Sequence, residues 1–321
     1  MKMHFARLTM TTLLASALLL SPFAAQARTL SIGTNPQGSQ AYASGSAIAD
    51  VVGDALDTSF TVVPQGGPTA IIPAMSAGEF DFAFANIVAA ATAMKGDGPF
   101  KGRKFESLRV AAVVYPLHLG VYVKKDAPIQ SFDDLRGKRV ASAFKSQANL
   151  AGFMTSALAM AGMSYEDLTE VPVQNGVQAI DELIEDGLDA TIFSTKSGVV
   201  QKADAVVGIR ILSVPDSDAA RATLAERSPG AVVAEVAAGS VPGVAAPTRV
   251  IEAPFVVLTD SSVDEDTVYQ VVKALAENKD KLAASASDFE ALDPKTMGQS
   301  SLPVPYHPGA IRYYQEQGVW Q

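Results

Sequence analysis

The 321-residue chain contains no cysteine. That excludes disulfides, a thiolate nucleophile, a zinc–thiolate site and a lipid anchor on an N-terminal cysteine. Histidine is scarce, with three residues in all. Neither an H-E-x-x-H metal spacing nor a G-x-S-x-G nucleophile elbow occurs. The hydrolases built on those arrangements are therefore poor readings. Positive charge is also in deficit, with 25 Lys and Arg against 34 Asp and Glu. Nucleic acid and anionic membrane surfaces select basic patches, so neither is an expected partner. A small anion is not excluded, because a few N–H groups, hydroxyls and lysines gathered at one place decide its binding.

One long apolar run is present, at the start. Lys2 and Arg7 precede Leu8 to Phe23, and Ala25-Gln26-Ala27 offers a small-x-small cleavage site. Residues 1–27 thus read as a secretory signal peptide, with the mature chain opening at Arg28. The short run and the cleavage site argue against a membrane anchor. Without Lys2 and Arg7 the chain has 23 basic and 34 acidic residues, a net charge of −11. The expectation is a periplasmic protein, two domains long, with no stable membrane insertion of the mature chain.

Hydrophobic periodicity gives alternating strands and helices. Thr29 to Gly33 reads as a strand leading into Gly33-Thr34-Asn35-Pro36-Gln37-Gly38-Ser39, a loop of hydroxyl and amide residues, and a helix from Gln40. The loop lacks both G-x-G-x-x-G and the Walker spacing, so no nucleotide cofactor, and no other cofactor or metal, is expected. Its backbone N–H groups suit a small carboxylate, or form an ordinary tight turn. A strand at Phe60 to Val63 ends in Pro64-Gln65-Gly66-Gly67-Pro68-Thr69, whose glycines permit close approach either to the first loop or to a ligand. Phe80 to Phe84 alternates aromatics and small residues as a core strand, with Asn86 at its end. Leu108 to Val114 and Gly120 to Val123 read as strands bracketing Tyr115-Pro116-Leu117-His118, a first crossing between lobes. There Tyr115 and His118 either face a cleft or serve the core.

The stretch Ser131 to Phe153 repeats the arrangement: an acidic turn, a strand over Arg139 to Phe144, then Lys145, Ser146, Gln147 and Asn149 where the strand hands over to a helix. That junction is where open α/β sheets bind ligands. The repeat recurs further on. Ala74 to Phe84 and Glu182 to Phe193 are the same unit, a helix end, Gly, a hydrophobic residue, Asp and a buried strand. Thr195 and Lys196 follow the second copy and are expected at the same cleft, Lys196 and Lys145 fixing an anion or standing as solvated surface lysines. Ser228 to Pro247 carries no assigned element. Val250 to Leu258 reads as the second crossing strand, and Asp264 to Leu282 as one helix. Two similarly wound α/β lobes with a cleft between their loop-bearing edges account for the repeat.

Ser131 to Val140, together with the two Gly-x-Asp strands, resembles the type II periplasmic solute-binding fold. The C-terminal Tyr306-His307-Pro308-Gly309-Ala310-Ile311-Arg312-Tyr313-Tyr314-Gln315-Glu316 is similar to the HPGAxxYYxE segment of the TAXI family of TRAP transporter solute receptors. The opening SIGT with Gly38 and Tyr42, and the order of elements over nearly the whole mature chain, fit the same family. Three loops depart from its pattern: Asn35-Pro36 with Ala41-Tyr42, Pro64 to Ala70, and Lys145-Ser146-Gln147.

The resemblance implies a two-lobed α/β receptor, two mixed-sheet domains joined by hinge crossings, with 28–118 and 252–321 forming lobe 1 and 119–251 lobe 2. It implies a non-enzymatic protein that closes on a small organic acid or amino acid, such as glutamate or a 2-oxo or dicarboxylate, and delivers it to a TRAP permease. The ligand would be held by Gly33 to Ser39 and Tyr42, by Gln65 to Thr69 and by Lys145 to Asn149, with Asn86 and Thr195 completing the site. An ABC-type receptor for another small anion such as a sulfonate, and a periplasmic ligand sensor, are the alternatives.

Overall fold

The structure is a computed structural model that describes residues 29–320. The expected signal peptide lies outside the described residues. Strands and helices alternate. The first part runs β1 (Leu30–Thr34), α1 (Gln40–Ala55), β2 (Phe60–Pro64), α2 (Pro68–Ser76), β3 (Phe82–Asn86), α3 (Ile87–Lys95) and β4 (Leu108–Lys124). The second runs β5 (Arg139–Ser142), α4 (Ala148–Met160), β6 (Thr169–Pro172), α5 (Gly176–Ile184), β7 (Ala190–Ser194), α6 (Gly198–Val207), β8 (Ile209–Leu212), α7 (Asp218–Arg227) and β9 (Val232–Val236). The chain then returns through β10 (Thr248–Asp260), α8 (Glu265–Glu277), α9 (Lys279–Ser285) and α10 (Pro308–Glu316).

Two halves are wound alike. In lobe 1, β1 lies parallel between β2 and β3, and β10 runs antiparallel beside β3. In lobe 2, β5 lies parallel between β6 and β7, and β4 runs antiparallel beside β7. Each lobe therefore borrows its antiparallel strand from the long β4–β10 pair, which joins the two mixed sheets into one ten-stranded sheet. The repeated Gly-x-Asp units do the same work in both halves. The Asp81 carboxylate accepts the backbone N–H of Ser31 at 3.0 Å, and Asp189 accepts that of Arg139 at 2.8 Å. Each aspartate ties the start of the third strand of its lobe to the start of the first, which fixes the register that the hydrophobic alternation alone leaves to side-chain packing.

The first crossing is not two strands around a loop. Leu108 to Lys124 is one 17-residue strand, and Tyr115 to His118 lies within it. Phe255 faces Tyr115, Pro254 faces Pro116 and Glu252 faces His118 across the pair. Sequence reasoning breaks the strand at Pro116 because proline cannot donate a ladder hydrogen bond. Here the partner residue is also a proline, so the missing donors coincide at one point of the pair. Two register shifts, at Phe255/Val256 and Val257/Leu258, follow directly.

Other expectations shift locally. Asp264 to Leu282 is two helices separated at Asn278, whose amide donates to the Ala274 carbonyl at 2.9 Å. The connector from Ser228 contains β9, paired with β10, and α6 is a helix the sequence reading left unassigned.

The C-terminal signature proves to be a packing device. His307 caps α10 by accepting the Gly309 N–H at 3.2 Å, and Pro308 occupies the first helical turn, where its missing N–H costs nothing. Gly309 lies against the backbone of α8, where any Cβ would overlap the Glu265 carbonyl. Tyr314 is fully buried and donates to the Ala111 carbonyl of β4 at 2.7 Å, while Glu316 accepts from Tyr269 at 2.6 Å. Arg312 lies over the Tyr269 ring, 4.4 Å from its centroid, and pairs with Asp266. The whole motif fastens α10 onto α8 and the lobe 1 sheet.

Two expectations for stability come from this end of the chain. Gly309→Ala should cost about 1–3 kcal/mol, the usual range for overpacking, seen as a lower urea midpoint with an unchanged slope; an unchanged midpoint would show that α10 shifts freely on α8. Burial holds the His307 imidazole below its ordinary value. The unfolded chain therefore binds more protons in mild acid, so this contribution to stability is complete above about pH 6.5 and is lost as pH falls towards the depressed folded value. The urea midpoint should drop on acidification, and His307→Asn, which keeps a capping side chain, should remove part of that drop. Equal drops in parent and variant would assign the sensitivity to carboxylates instead.

Candidate functional site

Three helices follow strands, α3 directly and α2 and α4 after short loops, and turn their amino ends to the same place between the lobes. Pro68 opens α2, Asn86 caps α3 and Gln147 precedes α4. A cavity of about 20 Å³ is lined by the polar residues Asn35, Asn86, Gln147, Asn149 and Ser194 and by apolar residues that include Pro68, Leu117, Leu119, Phe193 and Phe255. No charged residue lines it. Positive potential there comes from helix ends, each equivalent to roughly half an elementary charge. This is a setting for an anionic or strongly polarised group.

The amides sharpen that polarity. Asn86 spends its side-chain oxygen on the Ala89 N–H of α3 at 2.9 Å, and Gln147 spends its own on the Gly176 N–H of α5 at 2.7 Å. With both oxygens consumed by helix starts, each side chain retains its NH₂ donors. Both residues are buried, at 3% and 1% exposure, so those donors have little water to turn to. The amide oxygens of Asn35 and Asn149 are buried and make no hydrogen bond. Buried polar atoms are ordinarily satisfied; these two mark a place suited to a donor as well as to an acceptor.

The lobes are clasped around this point. Ser146 donates to the Gly66 carbonyl at 3.0 Å, Thr69 donates to the Ser146 carbonyl, and the Val199 N–H of α6 donates to the Gly38 carbonyl at 3.3 Å. The close approach that the glycine pair permits is thus to the opposite lobe. A Cβ on Gly66 would overlap the Ser146 side chain, and one on Gly67 would overlap Gln147. On the other side of the clasp, Ala143 and Phe144 both stand in the left-handed region, at φ 60° and 42°. Consecutive non-glycine residues there carry strain of order 1–3 kcal/mol each, and such strain gathers at functional loops. It aims the Lys145–Gln147 segment into the cleft.

The remaining sequence candidates take other places. Gly33 and Thr34 are buried, the first against the Phe80 ring and the second against Gly45. Ser39 caps α1, Gln37 reaches Tyr42 at 3.4 Å on the rim, and the Gln65 N–H binds the Thr34 carbonyl at 2.8 Å. Tyr115 sits at the centre of an aromatic cluster with Phe84, Phe255 and Phe289, its hydroxyl bonded to Ser44, and burial together with Asp288 raises its pKa well above the ordinary value. His118 forms a cross-strand pair with Glu252 at 2.7 Å. Thr195 is buried beside that crossing, its N–H on the His118 carbonyl at 3.0 Å. Lys145 is exposed, and Lys196 reaches across the cleft to Asp288 at 3.2 Å. The lysines therefore do not meet at the cavity. Among the described residues no group of three His, Asp or Glu side chains could hold a metal.

Ser194 is the lining residue the sequence reading passed over. It ends β7 as Asn86 ends β3, so the Gly-x-Asp repeat points to it directly. The apolar residues of β4 and β10 carried no comparable signal, since they read as core.

The model of the NMT1-like family matches residues 32–318, and the chain belongs to that family. Among solved structures, one described as a periplasmic transporter superposes with a TM-score of 0.59 at 12% identity, covering 87% of this chain and 91% of that one. An ancestral arginine-binding protein bound to arginine gives 0.53 at 16% identity, covering 82% and 98%. The alkanesulfonate-binding protein SsuA from Xanthomonas axonopodis pv. citri, bound to MOPS, gives 0.51 at 15% identity, covering 90% of each. These likenesses establish the two-lobed periplasmic-binding fold. No helix among the described residues is long and apolar enough to cross a membrane.

Gly66→Val should hold the lobes apart. An overlap costing about 1–3 kcal/mol shifts a two-state equilibrium by roughly 5- to 150-fold. Small-angle scattering should give the variant a larger radius of gyration than the parent under conditions where the parent is closed. Identical curves would show that the Gly66–Ser146 contact does not limit closure.

Proposed function

We propose that this member of the NMT1-like family is a periplasmic solute receptor of the TAXI type, which closes on a small organic acid or amino acid and hands it to a TRAP permease without turning it over. The observation that carries the reading is the uncharged cavity at which three helix amino ends and four amide side chains meet between two clasped lobes. A carboxylate accepts from the NH₂ groups of Asn86 and Gln147 and from the first turns of α2 and α4. An amino or hydroxyl substituent donates to Asn35 or Asn149. The hinge falls at the facing prolines Pro116 and Pro254, which divides the chain into 28–118 with 252–321 and 119–251. Closure follows from differential contact, because the ligand touches both lobes only when they meet.

A thermal-shift screen of refolded, ligand-free protein tests this. A carboxylate at a hundredfold excess over its Kd should add about 2.7 kcal/mol, and Asn149→Ala should lower the shift of a ligand that carries an amino or hydroxyl group by about 1 kcal/mol. A response confined to sulfonates would support an ABC-type sulfonate receptor instead, and a response to neutral sugars would overturn the anion reading. Gene neighbours distinguish the transporter class: a multi-span permease without an ATPase supports the TRAP assignment, and an ATPase gene retires it.

A further inference from the structure

The polar cavity has room for about one small group, whereas small-molecule sites generally occupy roughly 300–1,000 Å³. The rest of the space lies alongside. A groove of about 370 Å³ runs between α3 of lobe 1 and α4 of lobe 2, and Asn149 lines both it and the polar cavity. Its walls are apolar and come from both lobes: Val88, Ala91 and Phe100 on one side, Ala148 and Phe153 on the other. The charged residues Lys95, Asp97, Glu226 and Arg227 are exposed and carry two charges of each sign. The groove thus offers no net charge to a second ionised group, and its volume takes on the order of ten water-sized groups.

Resting on the receptor reading above, we infer that the ligand is an amphipathic acid, with its carboxylate in the amide-lined cavity and an unbranched hydrocarbon tail in the groove between α3 and α4. The head is fixed by hydrogen bonds and the tail by burial against both lobes, so each added methylene strengthens closure as well as binding. Polar dicarboxylates of the same length do less well, because their far carboxylate meets apolar walls.

Gly152 supplies the means of testing this. It lies on α4, lines the groove, is exposed, and a Cβ added there meets nothing within 4 Å. Gly152→Phe places a ring in the groove at a position where helix propensity also favours the change. The experiment is titration calorimetry of the ligand-free full mature chain with straight-chain carboxylates from acetate to octanoate, and with suberate.

The parent should gain roughly two- to fourfold in affinity per methylene, the upper value being that of a fully buried one. Octanoate should exceed suberate by at least tenfold, and Gly152→Phe should flatten the slope of affinity against chain length. Binding of short carboxylates with no rise along the series overturns the tail assignment and leaves the receptor reading standing. So does suberate outdoing octanoate, or a slope that Gly152→Phe leaves unaltered. Failure of every carboxylate, short or long, with sulfonates or neutral solutes binding instead, overturns the carboxylate assignment on which this inference rests.

Discussion

The antiparallel pairing of β4 with β10 is the constraint on which the remaining structure depends. Each lobe has three parallel strands of its own and needs a fourth, antiparallel one, and the two long strands supply one to each. Their outer stretches, Leu108–Tyr115 against Phe255–Asp260 and Leu119–Lys124 against β7 and β8, are paired into different halves of the sheet. Between them Pro116 faces Pro254, and neither donates to the ladder. The ladder thus lacks both donors at this one point, which is where the proposed hinge falls.

Closure and polarity are coupled through the same residues. Gln147 begins α4, satisfies the start of α5 with its side-chain oxygen, and turns its remaining donors to the interlobe cavity. Asn86 does the equivalent for α3. The groups proposed to hold a solute are therefore also the groups that hold the helices, and a change that loosens one should loosen the other. The short range of a helix-end potential explains why the lobes must approach so closely, down to glycine backbone against serine.

Much of the fold was legible because it is written in repetition. The two Gly-x-Asp units gave the two lobes, and both aspartates proved to be matching pins on Ser31 and Arg139. The crossing strand was misread at Pro116 because a proline removes one ladder donor, and the local pattern does not show that its partner, Pro254, far away in sequence, lacks its own donor at the same point of the pair. The lining of the candidate cavity was partly legible. Asn35, Asn86, Gln147 and Asn149 follow from the rule that ligands gather where strands give way to helices. Lys145, Lys196 and Tyr115 did not reach the cavity, because residue type alone cannot tell a ligand cation from one that bridges lobes to Asp288, or a cleft tyrosine from one at the centre of an aromatic cluster. The signature that suggested the family lies in lobe 1 packing, away from the cavity, so it speaks for the scaffold and is silent on the solute.

The facing prolines also determine how bending at the proposed hinge can be followed. Neither Pro116 nor Pro254 has an amide proton, so the pivot itself gives no signal in backbone hydrogen exchange or in amide-detected relaxation. Its motion is reported by the flanking pair, Leu117 and Ala253, whose amides sit one residue from the pivot. Slow exchange at this pair would mean that the lobes swing as rigid arms while the ladder beside the prolines stays intact. Fast exchange there, within an otherwise protected strand, would mean that each swing opens the ladder locally.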